Sequence, residues 1–309
     1  MVWQYLLTAW LKNAAKEKVF EHVREAAQRQ AAGPDQSDPT DEPAPERPCD
    51  VGIVFSSLAE LGGMQDRLVG CLTMHGGGFQ LRAGGLQGRH VVLVESGGGA
   101  ERAARATEML LDGHQPQWVI AAGFAAGLQP QLRRGDILLA DTLLNEQGAR
   151  LSIDLKMNAP SPKPAPQGSQ TSPRGQAWHT GGLLTTDKFL HSRAIKLALS
   201  EKFDALAADA ESMAVAEVCR RRKARFMAVR IVSEALDDEL SPALRRLARQ
   251  KSTPGRLGAA VGAMLDRPSG VKDLWRVKEE ALVSSDRLAK CLETVVVRLA
   301  PLNPQPGAE

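Results

Sequence analysis

The stretch Ala208-DAESMAVAEV-Cys219, followed after a short basic turn by Arg225-FMAVRIVS-Glu234, reads as a helix feeding a strand. Ala214, Val215, Val218 and Cys219 fall at helical spacing, so the helix presses one face on a core. Phe226 to Val232 is a buried strand that ends in Ser233-Glu234. In open α/β sheets the carboxyl-terminal strand edge is where ligands bind. Glu211 sits among small and apolar residues at the mouth of the helix, poorly solvated and near the positive end of its dipole. It is expected to stay ionised and to point its oxygens at whatever occupies the cavity. Taken alone, the same acid reads equally well as a first-turn residue of a helix capped by Asp209.

Outward from this unit, the chain alternates strands and helices over residues 51–265, the pattern of an α/β sandwich. Val51-GIV-Phe55 is a short buried strand, and Ser56-SLAELGG-Met64 a turn opening a helix, with Glu60 in its first turn. Phe79 to Glu95 is two strands joined at Gln87-Gly88. It runs through Ser96-GG-Gly99 into a helix over Ala100 to Leu111, with Ala103, Ala106, Met109 and Leu110 inward. Trp118-VIAA-Gly123 is wholly apolar, the type of strand covered on both faces. Phe124-AAG-Leu128 is a small-residue turn where backbone comes close to something, and Gly135-DILLA-Asp141 is another strand. Gly182-LLTTDK-Phe189 is strand then turn.

The appendages differ in character. Residues 1–31 form an amphipathic helix with Trp3, Leu6, Leu7, Trp10, Leu11, Val19, Phe20 and Val23 along one stripe. It has no signal-peptide layout, and docking on its own or a neighbouring subunit is favoured over membrane-surface contact. Residues 32–49 are a Pro-rich acidic linker, and 50–265 are the main domain. Residues 156–177, with five prolines, are a polar insertion that is neither helix nor central strand. Helices are expected at Pro242–Gln250 and Arg256–Leu265, then a break at Arg267-PS-Gly270. A long helix from Val271 to about Leu299 dominates a carboxyl-terminal helical extension, residues 266–309.

Composition narrows the function. A net charge of +3 and 4% aromatics, with a single Tyr, argue against nucleic-acid binding and base-stacking platforms. Cys49, Cys71, Cys219 and Cys291 are far apart and read as reduced thiols of a cytosolic protein. The six His are dispersed, so neither a metal nor a His-centred nucleophile is expected, and no cofactor is. Ser96-GG-Gly99 matches neither the dinucleotide fingerprint nor the phosphate loop; a tight turn and an anion cradle remain open. That leaves Glu60, Glu211 and Glu234, each at the end of an apolar strand or the start of a helix. Glycosidic cleavage through an oxocarbenium-like transition state uses such a set, with one acid kept protonated by apolar surroundings.

The succession Val51-GIV, Glu60, Ser96-GGG, Gly123-FAAGL, Gly135-DI, Thr186-DKF, Asp209-AES and Val229-RIVSE resembles the purine nucleoside phosphorylase/uridine phosphorylase superfamily. Within it, the likeness is to methylthioadenosine/adenosylhomocysteine nucleosidases. The resemblance implies a three-layer α/β/α sandwich with a mixed, partly barrel-like sheet, in a homodimer or larger oligomer. It implies a small-molecule nucleoside as partner and a place in nucleoside catabolism and methionine salvage. By it, Glu60 activates the attacking water, Glu211 grips the ribose hydroxyls and Glu234 protonates the purine. Ser96 and Gly98 line the ribose and water side, Phe189 stacks on the base, and Leu190 offers backbone hydrogen bonds to its edge. Ala210 stands where a methionine packs under the ribose, and Ser233 precedes the acid. Two departures stand out: Glu234 is one methylene longer than the aspartate the resemblance implies, and Ala210 leaves a roomier sugar floor. The last helix, Leu274 to Leu292, is also similar to the tails of hopanoid-associated phosphorylases.

Two other functions fit the same residues. A phosphorylase needs fixed positive charge for phosphate, yet Arg133, Arg134 and Arg230 lie outside the phosphorylase motifs. A non-catalytic nucleoside-binding protein on the same fold accounts for the altered acid at Glu234, but not for three retained acids.

Overall fold

The computed structural model describes residues 49–155, 170–171, 177–239 and 268–299. The expected amphipathic helix 1–31, most of the linker and the helices at 242–250 and 256–265 lie outside the described residues, as does most of the Pro-rich insertion.

Four parallel strands form the centre of the sheet, in the order β4(Arg89–Glu95), β1(Val51–Phe55), β5(Trp118–Gly127), β11(Arg225–Glu234). Their side chains alternate between two faces, as the pleat requires. Ile53, Phe55, Leu93 and Ile120 face one way, and Val54, Val92, Val94, Val119 and Ala121 the other. The first face is covered by α1(Leu58–Gln65) and α5(Pro268–Arg298), through Leu61, Met64, Leu288, Leu292, Val295 and Val296. The second is covered by α2(Ala100–His114) and α4(Ser212–Arg221), through Ala103, Ala106, Leu110, Val215, Val218 and Cys219. Burial on both faces explains the unbroken apolar run in β5, and it makes the molecule the three-layer sandwich expected.

The sheet is mixed and half closed. Beyond β11 come β6(Ile137–Asn145), antiparallel to it, then β9(Ala177–Thr185) and β10(Ala207–Asp209), each parallel to the strand before. Strand β10 pairs back antiparallel onto β5, so these five strands close on themselves. Short β7(Arg150–Ser152) and β8(Gln170–Thr171) flank β6 and β9. At the other edge, β3(Phe79–Leu86) pairs with β4 through the turn at Gln87-Gly88, where both residues have positive φ as a tight hairpin demands. The edge strand β2(Val69–Gly76) pairs with β3 and was not foreseen. Val69 and Leu72 on it are exposed, and an unburied strand leaves no alternating pattern to read. The remaining helix, α3(Arg193–Phe203), packs Leu199 against Leu128, Leu184 and Leu190.

Two boundary expectations change. Cys49, assigned to the linker, is buried, and its carbonyl accepts the Gln117 N–H at 3.1 Å. Of the break expected at Arg267 to Gly270, Pro268, Ser269 and Gly270 are the first turn of α5, where proline is tolerated because its missing N–H would be unpaired anyway. Helix α5 is close-packed on α1: a Cβ on Gly63 would stand 2.6 Å from the Ser285 carbonyl oxygen. Ser285 Oγ accepts Gly63 N–H at 2.9 Å and donates to the Glu60 carbonyl at 3.2 Å. The helix thereby bears directly on the turn that carries Glu60.

Candidate active site

The carboxyl ends of β1, β4, β10 and β11 converge, and the acids picked out from the sequence stand on or just beyond them. Glu60 is buried in the first turn of α1, its carboxylate folded back on the strand-to-helix turn. Oε2 accepts Ser56 N–H at 2.9 Å, Ser56 Oγ–H at 2.6 Å and Ser57 N–H at 3.1 Å; Oε1 accepts Phe124 N–H at 2.8 Å. Those donors fix its orientation. Phe124 can reach it because the preceding residue is Gly123: a Cβ there would lie 2.6 Å from Glu60 Oε1 and would also strike Arg230 Nη1.

Arg230 comes from the middle of β11 and is the largest fully buried side chain described. Its Nη2 pairs with Asp209 Oδ2 at 2.6 Å and donates to Ser212 Oγ at 2.9 Å, while Nη1 has no hydrogen-bond partner among the described residues. Asp209 also accepts Ser212 N–H, at 3.2 Å, so it serves the helix start as read from the sequence. The cap position itself belongs to Glu211.

Glu211 is the most perturbed acid of the site. Burial, then the negative charges of Asp209 and Glu60, push its carboxyl up to about 7, against the pull of Arg230 and the Gly99 amide. The expected fully ionised carboxylate is thus a group poised near neutrality, because the helix dipole does not offset loss of water and two like charges. Oε1 accepts Gly99 N–H at 3.0 Å, and Oε2 is buried without a partner among the described residues. The glycine-rich turn thus meets a carboxyl group through its last amide, and that group is a side chain of the protein itself.

The other residues singled out are placed as follows. Ser96 is fully buried, its hydroxyl within 3.1 Å of the Phe55 carbonyl and 2.7 Å of the Gly97 carbonyl; Gly98 lies in the turn between this serine and Gly99. Leu190 is buried beside Leu128 and Leu199, with Ala210 partly buried against the same cluster. Phe189 is half-buried, edge-on to the His191 ring at 5.1 Å. Ser233 occupies a bulge in β11 that shifts the register so that Glu234, not Ser233, faces Ala126; its Oγ donates to the Ala125 carbonyl at 3.3 Å. Glu234 is buried, and its Oε2 stands 3.7 Å from Nζ of the fully buried Lys196. Glu60 lies close enough to Glu211 to raise its proton affinity, whereas Glu234 faces Lys196.

Sequence reading passed over Lys196 and undervalued Arg230. A lysine in Arg193-AIKLALS resembles a solvated residue of an amphipathic helix, and nothing in the spacing marks it. Arg230 had a signal, a lone cation inside an otherwise apolar strand. A cleft of roughly 540 Å³ lies elsewhere: Trp118, Ile153, Arg220, Arg225 and Phe226 line it at the amino ends of β5 and β11. That cleft brings together no comparable set of buried acids among the described residues.

A mixed sheet covered on both faces, with buried carboxyl groups at its carboxyl edge, defines the class, an α/β/α sandwich. A family model described as the phosphorylase superfamily matches residues 60–260, and the chain belongs to that family. It is 28% identical over 206 residues to a 5'-methylthioadenosine/S-adenosylhomocysteine nucleosidase of Tolumonas auensis, covering 61% of this chain and 87% of the relative. Among solved structures it is similar to a point mutant of the Helicobacter pylori nucleosidase with 5'-methylthioadenosine in the active site. There the TM-score is 0.56 at 20% identity, covering 82% of this chain and all of the other. A mutant of futalosine hydrolase from Helicobacter pylori is alike to the same degree, with TM-score 0.56, 19% identity, and coverage of 81% and 100%.

Proposed function

We propose that the protein is a nucleosidase that hydrolyses the N-glycosidic bond of adenine-type nucleosides of the methylthioadenosine/adenosylhomocysteine kind. The observation that carries this reading is the joint burial of Glu60 and Glu211 beside Arg230, with Glu211 Oε2 and Arg230 Nη1 lacking partners. Unpaired buried polar atoms cost stability and are kept where a ligand supplies the missing partner. Two carboxylates suit an oxocarbenium-like sugar, which is cationic in the transition state and neutral before it.

Glu60, oriented by Ser56, Ser57 and Phe124, accepts a proton from the attacking water, and Arg230 Nη1 donates to that water's oxygen. Glu211 Oε2 accepts from the ribose hydroxyls while Gly99 holds Oε1 in place. On the far side Glu234 delivers the proton that the departing purine needs, with Phe189 and the Leu190 backbone against the base. The similarity to nucleosidases supports the substrate class, and the futalosine hydrolase likeness shows the fold serving another named hydrolase.

A phosphorylase is the second reading, favoured by one observation: Arg230 Nη1 is a buried cationic donor without a partner. Against it, phosphate there would face Glu60 and Glu211. The test is to incubate the protein with methylthioadenosine, adenosylhomocysteine, adenosine and inosine, with and without phosphate, and to follow free base. Adenine release that does not depend on phosphate supports hydrolysis. Release only with phosphate selects the phosphorylase, and no release from any nucleoside selects a binding protein.

A further inference from the structure

Lys196 is an oddity in energetic terms. Its ammonium is fully buried on α3, an environment that costs several kcal/mol per ion, on the order of the desolvation penalty that a good ion pair only just offsets. An ammonium has three N–H donors, and three acceptors meet it. Ala235 O accepts at 2.7 Å, Asp238 O at 3.0 Å, and Glu234 Oε2 stands at 3.7 Å. Burial lowers its proton affinity, and Glu234 and Asp238 raise it again while Arg134 opposes them.

The surroundings make it a clasp. The turn Ala235–Glu239 that it grips follows Glu234 directly, and is closed on itself by Asp238 Oδ2 accepting Ala235 N–H at 2.7 Å. Arg134 joins that turn to α5 through Asp238, at 2.5 Å, and Glu280. Arg193 joins it to the start of α3, through Asp237 at 2.6 Å. Helix α3 begins just past Phe189 and Leu190. One buried cation thus connects the acid at the end of β11 to the helix that carries the base-facing segment. Glu234 is also the residue with an extra methylene, and an ammonium on Oε2 takes up that added reach.

We propose that Lys196 is a positioning residue of the leaving-group side, acting through Glu234: its ammonium fixes where that carboxyl group stands and how it meets the departing base. The inference rests on the nucleosidase reading given above. It predicts a split by leaving group, because only a purine needs help to depart, whereas nitrophenolate leaves unaided. The experiment compares wild type, Lys196→Met, Glu234→Gln and the double variant on methylthioadenosine and on a nitrophenyl riboside, with thermal melting of each. Lys196→Met is expected to lower kcat on methylthioadenosine about 100-fold, the size of a general-acid contribution, with nitrophenyl riboside turnover within about threefold of wild type. The double variant should lose no more than Glu234→Gln alone, since the two act as one unit. Melting should fall for Lys196→Met, because Glu234 is left buried without its cation, and should recover in part in the double variant.

If Lys196→Met does not fold, Lys196→Gln, which keeps a donor for the carbonyls, is measured in its place. Equal losses on both substrates, failure of both variants to fold, or wild-type turnover on methylthioadenosine would each overturn the proposal. An inactive wild type on every nucleoside would instead overturn the nucleosidase reading, so the two failures are told apart.

Discussion

Glu211 and Glu234 are both buried carboxylates at the carboxyl edge of one sheet, yet the first is crowded by Asp209 and Glu60 while the second faces the ammonium of Lys196. Around Glu211 more carboxyl groups gather than Arg230 can pair, and one of their oxygens has no partner among the described residues. Glu234 instead has a buried cation 3.7 Å away. A site that concentrates unmatched negative charge is built for something that becomes positive, and a ribosyl oxocarbenium does. A buried cation set against one acid holds a geometry. On the proposed function, the difference divides the site into a sugar side that stabilises charge and a base side that positions an acid.

The strongest way to break this division is at Arg230. Arg230→Met leaves Asp209 buried without its cation, which costs about 3–5 kcal/mol for a broken buried pair. Chemical denaturation should show a loss of that size; a loss below about 1 kcal/mol would mean that Asp209 is solvated or neutral and the sugar side is not short of positive charge.

A smaller effect sharpens the sugar side through pH. The fold raises Glu211 from its ordinary 4.5 to about 7, so between these values the folded chain binds more protons than the unfolded one. The stability this gives is complete below pH 4.5 and is lost as pH rises through about 7. Glu211→Gln has no such titration and should be more stable than wild type at pH 8, by on the order of 3 kcal/mol at most, with the gap closing toward pH 4. For the same reason, wild-type kcat/KM for a nucleoside should climb with pH through about 7, where Glu211 becomes a carboxylate. A stability gap that stays flat with pH would contradict the crowded-acid account.

The smallest effect is expected behind the site. Ser285→Ala removes the hydroxyl that joins α5 to Gly63 and to the Glu60 carbonyl. It should cost about 1–3 kcal/mol, since a buried N–H loses its acceptor, and should lower turnover by only a few fold. A much larger fall in turnover with normal stability would show that α5 sets the orientation of Glu60 itself.

How legible this was depended on the residue. The α/β/α sandwich could be read because β1, β5 and β11 are covered on both faces and so are apolar throughout most of their length, and because Gln87-Gly88 marks its hairpin without ambiguity. Glu60, Glu211 and Glu234 were legible as acids at element ends. Their opposite electrostatics were not, because these depend on which side chains from distant strands come together. Asp209 read as a cap, and it is also the partner of Arg230 from another strand. Lys196 was invisible, since helical periodicity gives a buried lysine and an exposed one the same spelling. Edge strand β2 was missed because neither face of it is covered.

The central claim is that the unpartnered oxygen of Glu211 exists to grip a sugar in its transition state. The direct test is turnover of methylthioadenosine by Glu211→Gln and by wild type in phosphate-free buffer at pH 8, with folding checked by thermal melting. The account predicts a folded variant whose kcat falls by about 100-fold or more, the loss seen when one oriented transition-state contact is removed. A folded variant with near-normal turnover would contradict it, and would leave Glu211 as the cap of α4 and the partner of Gly99.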